Sequence, residues 1–385
     1  MAGKRKVTKR QRRKRKLIVF IIEIMILAIL IAGVYIYHKL DLIDNVEVDR
    51  TKVGTAEVSE TAQKVFEGYT TIALFGLDNR KQGVYTTGNS DVIMIMNINN
   101  DTKEVNMVSV YRDTYLNVAA ADEEPKYRKA NAAYAYGGPE QAMTMLNRNL
   151  DIDVDNYVSF DFSAVAEAID ILGGVEIEIE SDAELKYLND YIKHTNGILD
   201  TNSKTIDSVG KHTLDGVQAV AYSRIRYTSG GDYKRAYRQR LVFSQMVKKA
   251  KKANLKQLNS LVNEIFPKIQ TDLGRNDIIT MVSAMIGYDM AESSGFPFER
   301  KTKDLGSKGS VVVPCTLESN VKELHELLFG GEDYKPSSQV EKYSESIANE
   351  TGYTEDDAEN DKFNEKDDFD GTEQSGQDQT DSGEQ

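Results

Sequence analysis

The sequence predicts an α/β protein: a single extracellular α/β domain with a central mixed sheet flanked by helices, carried on an N-terminal transmembrane helix. Apolar strand-like segments alternate with helical segments through the middle of the chain, which is typical of this fold class. A long apolar stretch lies near the N-terminus, and an acidic stretch ends the chain. Hydrophobic residues make up 40% of the sequence, enough for a buried core, and the single cysteine excludes an internal disulfide.

The N-terminal segments predict the membrane topology. Residues 1–16 carry ten Lys and Arg and no acid, and residues 17–37 are apolar apart from Glu23. Such a stretch matches the about 20 apolar residues that cross a bilayer, and the positive-inside rule keeps the basic flank in the cytoplasm. A cleaved signal peptide is the alternative, but its apolar region would be shorter, roughly 7 to 15 residues. We therefore expect an uncleaved anchor and a juxtamembrane linker at residues 38–68, with the remaining chain outside the cell.

The basic flank has a second interpretation as a nucleic-acid-binding arm. Its position directly beside a membrane span favours contact with anionic lipid. We therefore expect the membrane, and no nucleic acid, as a partner.

Three consecutive strands are predicted to open the folded domain, which we place at residues 69–330. Their segments are rich in β-branched and apolar residues and are separated by turn residues: TTIALFGLD, DVIMIMNIN and EVNMVSVYRD. The following segments predict a helix, a strand, a helix with a glycine stop and another strand: GGPEQAMTMLNRNL, NYVSFDF, SAVAEAIDILGG and VEIEIE.

The second half of the domain is predicted to hold further strands and helices. In chain order these are a strand or a short helix plus strand, a long helix, a helix, a strand and a helix: LDGVQAVAYSRIRY, DYKRAYRQRLVFSQMVKKAKKA, DIITMVSAMIGYDM, SVVVPC and NVKELHELLF. Cys315 lies in the apolar SVVVPC segment and is expected to be buried, not reactive. Residues 331–385 are acidic and rich in Ser, Gln, Asp and Gly, so a disordered tail is expected.

A dense cationic segment runs from Arg224 to Arg240, with six Lys and Arg side chains and one acid in an otherwise acidic chain. If VAYSRIRY is a strand, its two arginines leave the same face, and if a helix follows Gly231, residues at i, i+3 and i+4 share one stripe. Converging guanidinium groups match phosphate oxygens, although a solvated or salt-bridged basic face is the alternative. We therefore predict a phosphate site formed by Arg224, Arg226, Arg235, Arg238 and Gln239.

Two carboxylates flank the loop between the first and second predicted strands. Asp78 closes the first strand and Asp91 opens the second, so the loop can return both to one end of the sheet. Two nearby carboxylates suit a magnesium ion that is bound chiefly through substrate phosphates and water, with an Asx turn or helix cap as the alternative for each acid. Arg112 and Asp113, at the end of the third strand, extend the same rim. The four histidines show no zinc-binding spacing.

Six segments match, in order and in residue type, the sequence motifs of one family. The chain resembles the LytR-CpsA-Psr family over about residues 69–329. The segments are LFGLDNR, SDVIMIM, SVYRDTYL, KANAAYAYGG, DFSAVAEAIDILGGVEIEI and AYSRIRYTSGGDYKRAYRQRLV. The resemblance implies a phosphotransferase whose catalytic domain works outside the membrane. Its substrate would be an anionic glycopolymer, such as wall teichoic acid or capsular polysaccharide, on an undecaprenyl-pyrophosphate carrier. Its acceptor would be the muramic acid 6-hydroxyl of peptidoglycan, joined through a phosphodiester.

The resemblance also implies roles for individual residues. Asp78 and Asp91 match positions that hold Mg²⁺, for which Mn²⁺ is an alternative. Asp232 matches an acid that orients an arginine or helps to deprotonate the acceptor hydroxyl, and Asn131 matches an asparagine to which we assign a structural role. The resemblance thus implies a catalytic set of four residues: Arg112, Arg224, Arg226 and Asp232. The positions that match the pyrophosphate-binding set are Arg80, Arg112, Arg224, Arg226, Arg235, Arg238 and Gln239.

A family-type apolar tunnel for the lipid would lie between sheet and helices. The candidate residues are Val158, Phe160, Phe162, Val165 and Ile169, with ordinary core packing as the alternative for each. Two other functions stay open. One is a scaffold that binds polyprenyl phosphates without chemistry, and the other is a membrane-bound transcriptional attenuator, against which the predicted span argues.

Overall fold

The fold is described from a computed structural model of the chain. The structure describes residues 44–46, 48–55, 58–77, 85, 88–228, 230–284, 287–331 and 334–358. The predicted basic tail and transmembrane helix lie outside these ranges, as do Asp78, Arg80 and residues 359–385. Among the helices within these ranges, none is both long enough and apolar enough to cross a bilayer.

A mixed sheet forms the centre of the described chain. The strands are β1 (Asp44–Asn45), β2 (Tyr69–Leu77), β3 (Ser90–Asn99), β4 (Glu104–Val110), β5 (Tyr115–Asn117), β6 (Tyr127–Lys129), β7 (Asn156–Asp161), β8 (Val175–Ile179), β9 (Gly210–Leu214), β10 (Ile269–Thr271), β11 (Asp289–Phe296), β12 (Arg300–Asp304) and β13 (Ser310–Pro314). The central sheet has the order β1-β10-β7-β2-β3-β4-β11, and the others pair as β5-β6, β8-β9 and β12-β13. Strands β2, β3 and β4 are antiparallel neighbours, while β7 runs parallel to β2 and β11 parallel to β4. The predicted mixed sheet and the three consecutive strands β2, β3 and β4 are confirmed. The prediction that residues 38–68 are only a linker is wrong, because β1 pairs with β10 in the central sheet and Val48 and Val53 join the main core cluster.

Helices flank the sheet as predicted. In the described ranges they are α1 (Glu60–Phe66), α2 (Ala132–Leu150), α3 (Phe162–Leu172), α4 (Asp182–Leu199), α5 (Gly216–Ser223), α6 (Gly231–Ala250), α7 (Leu255–Ser260), α8 (Arg275–Ala284), α9 (Leu317–Phe329) and α10 (Ser338–Thr351). The predicted glycine stop is confirmed, because Gly173 ends α3 in the left-handed conformation with a φ of 85°.

Alternate residues of the central strands point to opposite sides of the sheet, so both faces need covering. On one face, Phe75 and Ile95 belong to a buried cluster that includes residues of α2, α9 and α10. On the other face, Leu74 packs with partly buried side chains that include Phe243 of α6 and Met281 of α8. The functional cleft described below lies at one end of this layered arrangement.

The prediction that VAYSRIRY is a strand is wrong. The segment up to Ser223 belongs to α5, which begins at a capping box between Asp215 and Gln218. All eight residues of α5 are buried, so its apolar and β-branched composition reflects burial on every side and not a strand. Arg224 and Arg226 therefore sit on the turn that follows a helix, not on one face of a sheet.

The last predicted helix before the SVVVPC strand ends early. α8 stops at Ala284, and the last two residues of DIITMVSAMIGYDM open β11. This strand lies at the edge of the central sheet, and its polar residues Glu292, Ser293 and Ser294 give it no strand-like apolar pattern. Cys315 is buried, as predicted.

The prediction of a disordered tail from residue 331 is wrong for residues 338–351. They form α10, whose N-cap is Ser337 and whose buried residues include Val340, Tyr343 and Ile347. The three apolar side chains recur at i, i+3 and i+7 and join the main core cluster. The abundance of Glu and Ser on the other faces of the helix hid this pattern in the composition.

Candidate functional site

The start of β3 and the end of β4 meet at one end of the central sheet, because these strands are antiparallel neighbours. Asp91 is the second residue of β3, and Arg112 follows the end of β4 by two residues. The first turns of α6 lie beside them and contribute Asp232 and Arg235. Gly230, with a φ of 84°, lets the chain turn into α6 at this point.

Asp91 is the centre of a charge network. Its Oδ1 accepts a hydrogen bond from Arg112 Nη1 at 3.0 Å, and its Oδ2 accepts one from Arg235 Nη2 at 3.0 Å. The Arg226 Nη2 atom lies 3.7 Å from the same Oδ2. Asp232 Oδ1 faces all three arginines, at 3.2 Å from Arg235, 3.5 Å from Arg226 and 3.6 Å from Arg112. Three cations against two carboxylates leave one net positive charge among these five side chains.

Burial sharpens these interactions. Burial alone would raise the pKa of Asp91, but the charges of Arg235 and Arg112 outweigh it and hold that pKa below its usual value. For Arg226, burial and the neighbouring charges of Arg235 and Arg112 lower the pKa of the guanidinium. Arg226 is therefore held among like charges and would gain from an added anion.

The cleft has hydrogen-bonding capacity left over. Among the described residues, Gln239 Nε2, Ser109 Oγ and Arg235 Nε are buried without a hydrogen-bond partner, and all three residues line the cleft. The cavity between the side chains is about 10 Å³, about the volume that one water needs. The ion pairs thus fill the cleft, and a bound oxyanion would have to replace the carboxylates as partner of the guanidinium groups.

An aromatic stack supports the cleft from behind. The Arg300 guanidinium lies 4.1 Å from the ring centre of Tyr233 and 5.2 Å from that of Tyr111, and the two rings are 4.7 Å apart. Arg300 also donates hydrogen bonds to the carbonyl oxygens of Pro297 and Phe298, at 3.2 and 2.9 Å. Tyr111 precedes Arg112 and Tyr233 follows Asp232, so the stack joins the two backbones that carry the site. Our sequence reasoning missed it, although each tyrosine stands next to a predicted site residue.

The structure separates Arg238 from the other predicted phosphate ligands. Its guanidinium is fully buried and donates to Glu184 Oε1 at 2.7 and 3.0 Å, to the Ile225 carbonyl at 3.2 Å and to Thr228 Oγ1 at 3.1 Å. The prediction that Arg235, Arg238 and Gln239 share one stripe therefore fails for Arg238, while the other two line the cleft together.

Arg224 lies beside the cleft and faces α4. It donates to Thr195 Oγ1 at 3.3 Å, and its guanidinium is 5.3 Å from the ring centre of Phe162 and 6.0 Å from that of Tyr191. Asn131 contributes through its backbone, since its N–H donates to the Arg112 carbonyl at 3.0 Å. Asp113 lies on the rim beside Arg112, as predicted, with its Oδ2 3.9 Å from Arg112 Nε and its Oδ1 3.2 Å from Lys129 Nζ.

The predicted lipid residues divide between two clusters. Val158 and Phe160 pack against the sheet face that α6 and α8 cover. Val165 and Ile169 instead belong with the cluster of β8, β9 and α5. Phe162 lies next to Arg224. The structure thus brings two of the five residues to the sheet face beside the charged cleft.

The fit of a metal rests on few ligands. In the described part of the chain no group of three or more His, Cys, Asp or Glu side chains could hold a metal ion. Asp91 and Asp232 are the carboxylates of the cleft, and their oxygens face guanidinium groups. Such a donor set fits a hard cation only together with phosphate oxygens and water, which is how proteins commonly bind Mg²⁺.

A family profile matches residues 34–313, which is more than half of the chain. The chain belongs to the LytR-CpsA-Psr family. This LytR-CpsA-Psr protein is 31% identical over 209 residues to the polyisoprenyl-teichoic acid–peptidoglycan teichoic acid transferase TagU of Enterococcus faecalis, an alignment that spans 54% of this chain and 62% of that relative. It is 25% identical over 309 residues to the corresponding transferase TagT of Bacillus subtilis, with 76% of this chain and 90% of the relative covered.

Solved structures share the fold. One is titled as the family protein TagT with bound octaprenyl pyrophosphate lipid. It superposes with a TM-score of 0.53 at 23% identity and covers 74% of this chain and 99% of the other. A second, titled TagT bound to LIIa-WTA, gives a TM-score of 0.54 at 21% identity and covers 80% of this chain and 100% of the other. At these identities the likeness establishes the fold alone.

Proposed function

We propose that the protein is a magnesium-dependent phosphotransferase. It moves an anionic glycopolymer, such as wall teichoic acid, capsular or related polysaccharide, from an undecaprenyl-pyrophosphate carrier to peptidoglycan, and forms a phosphodiester. The observation that carries the proposal is the cleft in which Arg112, Arg226 and Arg235 converge on two carboxylates. The relatives named as teichoic acid transferases support the same reaction class.

The arginines bind the diphosphate of the carrier. A diphosphate offers each guanidinium two oxygens, so Arg112, Arg226 and Arg235 exchange carboxylate partners for phosphate ones once the side chains of the cleft move apart to admit it. Gln239 and Ser109 supply further donors from the wall of the cleft. Arg224 contacts the part of the substrate that extends toward α4.

The transfer step moves charge onto the leaving phosphate. The acceptor hydroxyl attacks the phosphorus next to the sugar, the bond to the bridging oxygen breaks, and the lipid phosphate leaves with the electron pair. Fixed guanidinium groups stabilise this developing charge without having to reorganise. Asp232 accepts the hydroxyl proton, and because its side chain is 28% exposed it can pass that proton to water.

Mg²⁺, with Mn²⁺ as the alternative, would supply positive charge that offsets part of the charge of the diphosphate. Asp91 and Asp78 would hold it. Asp91 would be free to do so once phosphate oxygens have replaced it as the partner of the arginines. Because the cleft carries a net positive charge, the metal would enter it together with the anionic diphosphate.

The polyprenyl chain occupies the sheet face beneath α6 and α8. Val158 and Phe160 lie there among partly buried side chains, including Phe243 and Met281. Partial exposure of so many apolar side chains at one place fits a site that an apolar ligand completes. The domain works on the outer side of the cell membrane, anchored by the apolar segment at residues 17–37.

Full-length protein in detergent, with Mg²⁺, a lipid-diphosphate glycan and peptidoglycan oligomers, tests the proposal. A covalent glycan–peptidoglycan product is expected, and Asp91→Ala and Arg226→Ala should abolish it. Tight lipid binding without product would favour the scaffold instead. Protease treatment of intact cells separates both from a transcriptional attenuator, because a cytoplasmic domain would survive digestion.

A further inference from the structure

A cluster of tyrosines stands beside the charged cleft and takes no part in it. Tyr187 and Tyr191 are four residues apart on α4 and share one face of that helix. Their ring centres lie 5.8 and 6.4 Å from that of Tyr227, on the turn between α5 and α6. Tyr227 is 71% exposed, so its ring presents an open apolar face to solvent beside the other two rings.

The cluster is continuous with the phosphate-binding arginines. Tyr227 follows Arg226, whose guanidinium reaches Asp91 and Asp232 in the cleft. At the other end, the Arg224 guanidinium lies 6.0 Å from the Tyr191 ring centre. Burial raises the pKa of Tyr191, and the positive charges of Arg226 and Arg224 oppose this rise in part.

We infer that Tyr187, Tyr191 and Tyr227 form a binding platform for the pyranose ring that is bonded to the diphosphate of the donor. The inference rests on the proposed function and adds to it the place where the sugar next to the diphosphate binds. We call these three side chains the tyrosine platform.

The chemistry of the platform favours a sugar over a lipid. A pyranose has an apolar face of C–H bonds and a rim of hydroxyls, and a tyrosine likewise combines an apolar ring face with a polar tip. A polyprenyl chain would favour a closed, wholly apolar site, whereas the Tyr227 ring is open to water. The platform also begins one residue from Arg226, which is where a sugar bonded to the bound phosphate has to lie.

Three probes that differ in one group each test the inference: inorganic pyrophosphate, farnesyl diphosphate, and farnesyl diphosphate esterified with one N-acetylhexosamine. Affinities are measured by calorimetry on full-length protein in detergent with Mg²⁺. Tyr227→Ala should weaken binding of the sugar-bearing probe by about 2- to 10-fold, the usual worth of one aromatic contact. It should leave the affinities for the other two probes unchanged. Tyr227→Phe, which keeps the ring, should retain most of the affinity.

The matched control is Tyr136→Ala, because Tyr136 is a second exposed tyrosine, 48% exposed, that lies outside the platform. It should bind all three probes like the unmodified protein. Equal losses for farnesyl diphosphate and the sugar-bearing probe in Tyr227→Ala would show that the platform holds lipid and would overturn the inference. Peptidoglycan oligomers are titrated as a fourth ligand, and a loss confined to them would assign the platform to the acceptor and overturn the inference as well. If unmodified protein bound no diphosphate probe, the proposed function itself would fail.

Discussion

Asp91 lies 3.0 Å from both Arg112 and Arg235 and 3.7 Å from Arg226, so its charge offsets the repulsion among the three arginines. Without this carboxylate, Arg112, Arg226 and Arg235 repel one another in a partly buried cleft. A diphosphate can do the same neutralising work. Asp91 is thus a candidate metal ligand, and in the free protein its carboxylate takes the place of the phosphate oxygens beside the arginines.

Asp91→Asn should lower the stability of the free protein by about 1–3 kcal/mol, because charge-assisted hydrogen bonds are lost. Added pyrophosphate should raise the melting temperature of this variant more than that of the unmodified protein, as measured by calorimetry. The control is Asp289→Asn, which removes the carboxylate of an exposed ion pair with Lys251. It should change neither the stability of the free protein nor the rise in melting temperature that pyrophosphate causes. An equal pyrophosphate response in Asp91→Asn and unmodified protein would contradict this role of Asp91.

Asp91 also predicts a dependence on pH. Its pKa is lower in the folded than in the unfolded protein, because the arginine charges outweigh burial. The stability that it contributes is therefore present above the usual carboxyl pKa and is lost as the pH falls through the lowered value. The unmodified protein should lose stability over this acid range more steeply than Asp91→Asn when both are unfolded by urea at a series of pH values.

Arg238 illustrates how a residue in a suggestive pattern can have another task. Its partner Glu184 is buried with it, so removing the arginine leaves an unpaired carboxylate in the interior. Arg238→Met should destabilise the protein by about 3–5 kcal/mol in urea unfolding, and Arg238→Met with Glu184→Leu should recover much of that loss. Pyrophosphate affinity of the folded fraction should stay as it is, whereas Arg226→Met should weaken it. Reduced affinity in a stably folded Arg238 variant would return Arg238 to the binding set.

At the scale of elements, the site depends on how α6 is fixed against the end of β4. The stack of Tyr111, Arg300 and Tyr233 makes this connection: the two rings contact each other, and the buried Arg300 guanidinium contacts both of them. A buried cation–aromatic contact contributes about 2 kcal/mol. The stack therefore contributes to holding Asp232 and Arg112, which adjoin its two tyrosines, at the cleft.

Arg300→Met should reduce glycan transfer more than it reduces protein stability, because it loosens the start of α6 without emptying the core. The expected signature is a lower kcat with a weaker pyrophosphate affinity, and Arg300→Lys should restore part of both. Kinetics with a lipid-diphosphate glycan and a parallel melting curve provide the measurement. A loss that simply follows the melting temperature would show a structural role alone.

The elements also show where patterns in the sequence succeed. The opening strands were predictable because each is a long apolar run bounded by turn residues, and α6 because its helix formers follow two glycines. The segment before Arg224 was not, since a short helix buried on all sides and a buried strand have the same composition. The edge strand β11 was missed for the opposite reason, because few of its side chains are buried.

At the scale of the whole molecule, α10 closes the core that α2 and α9 begin. Asp151 at the end of α2 accepts hydrogen bonds from Ser337 and from the Tyr334 hydroxyl, which fastens the approach to α10. Three apolar side chains of α10 then enter the main cluster. Residues 334–351 are therefore part of the folded domain.

Truncation after residue 330 should destabilise the protein strongly, since each buried apolar side chain that is lost costs about 1.5–3 kcal/mol. Truncation after residue 358 should leave the melting temperature unchanged and serves as the control. Both are compared by calorimetry with the full chain. Equal melting temperatures for all three would mean that α10 adds no stability.

The sequence alone was sufficient to predict the fold class, the strands β2 to β4 and the helix α6. It was also sufficient to predict the family and the aspartates and arginines that match it. These depend on residue type and spacing along the chain, which short-range sterics and periodic burial translate directly into structure. Tertiary structure decided which arginines meet. Arg226 and Arg235 converge on Asp91, Arg238 turns inward to Glu184 and Arg224 turns to α4, because the direction of a side chain depends on the elements packed around it, and these come from distant parts of the chain.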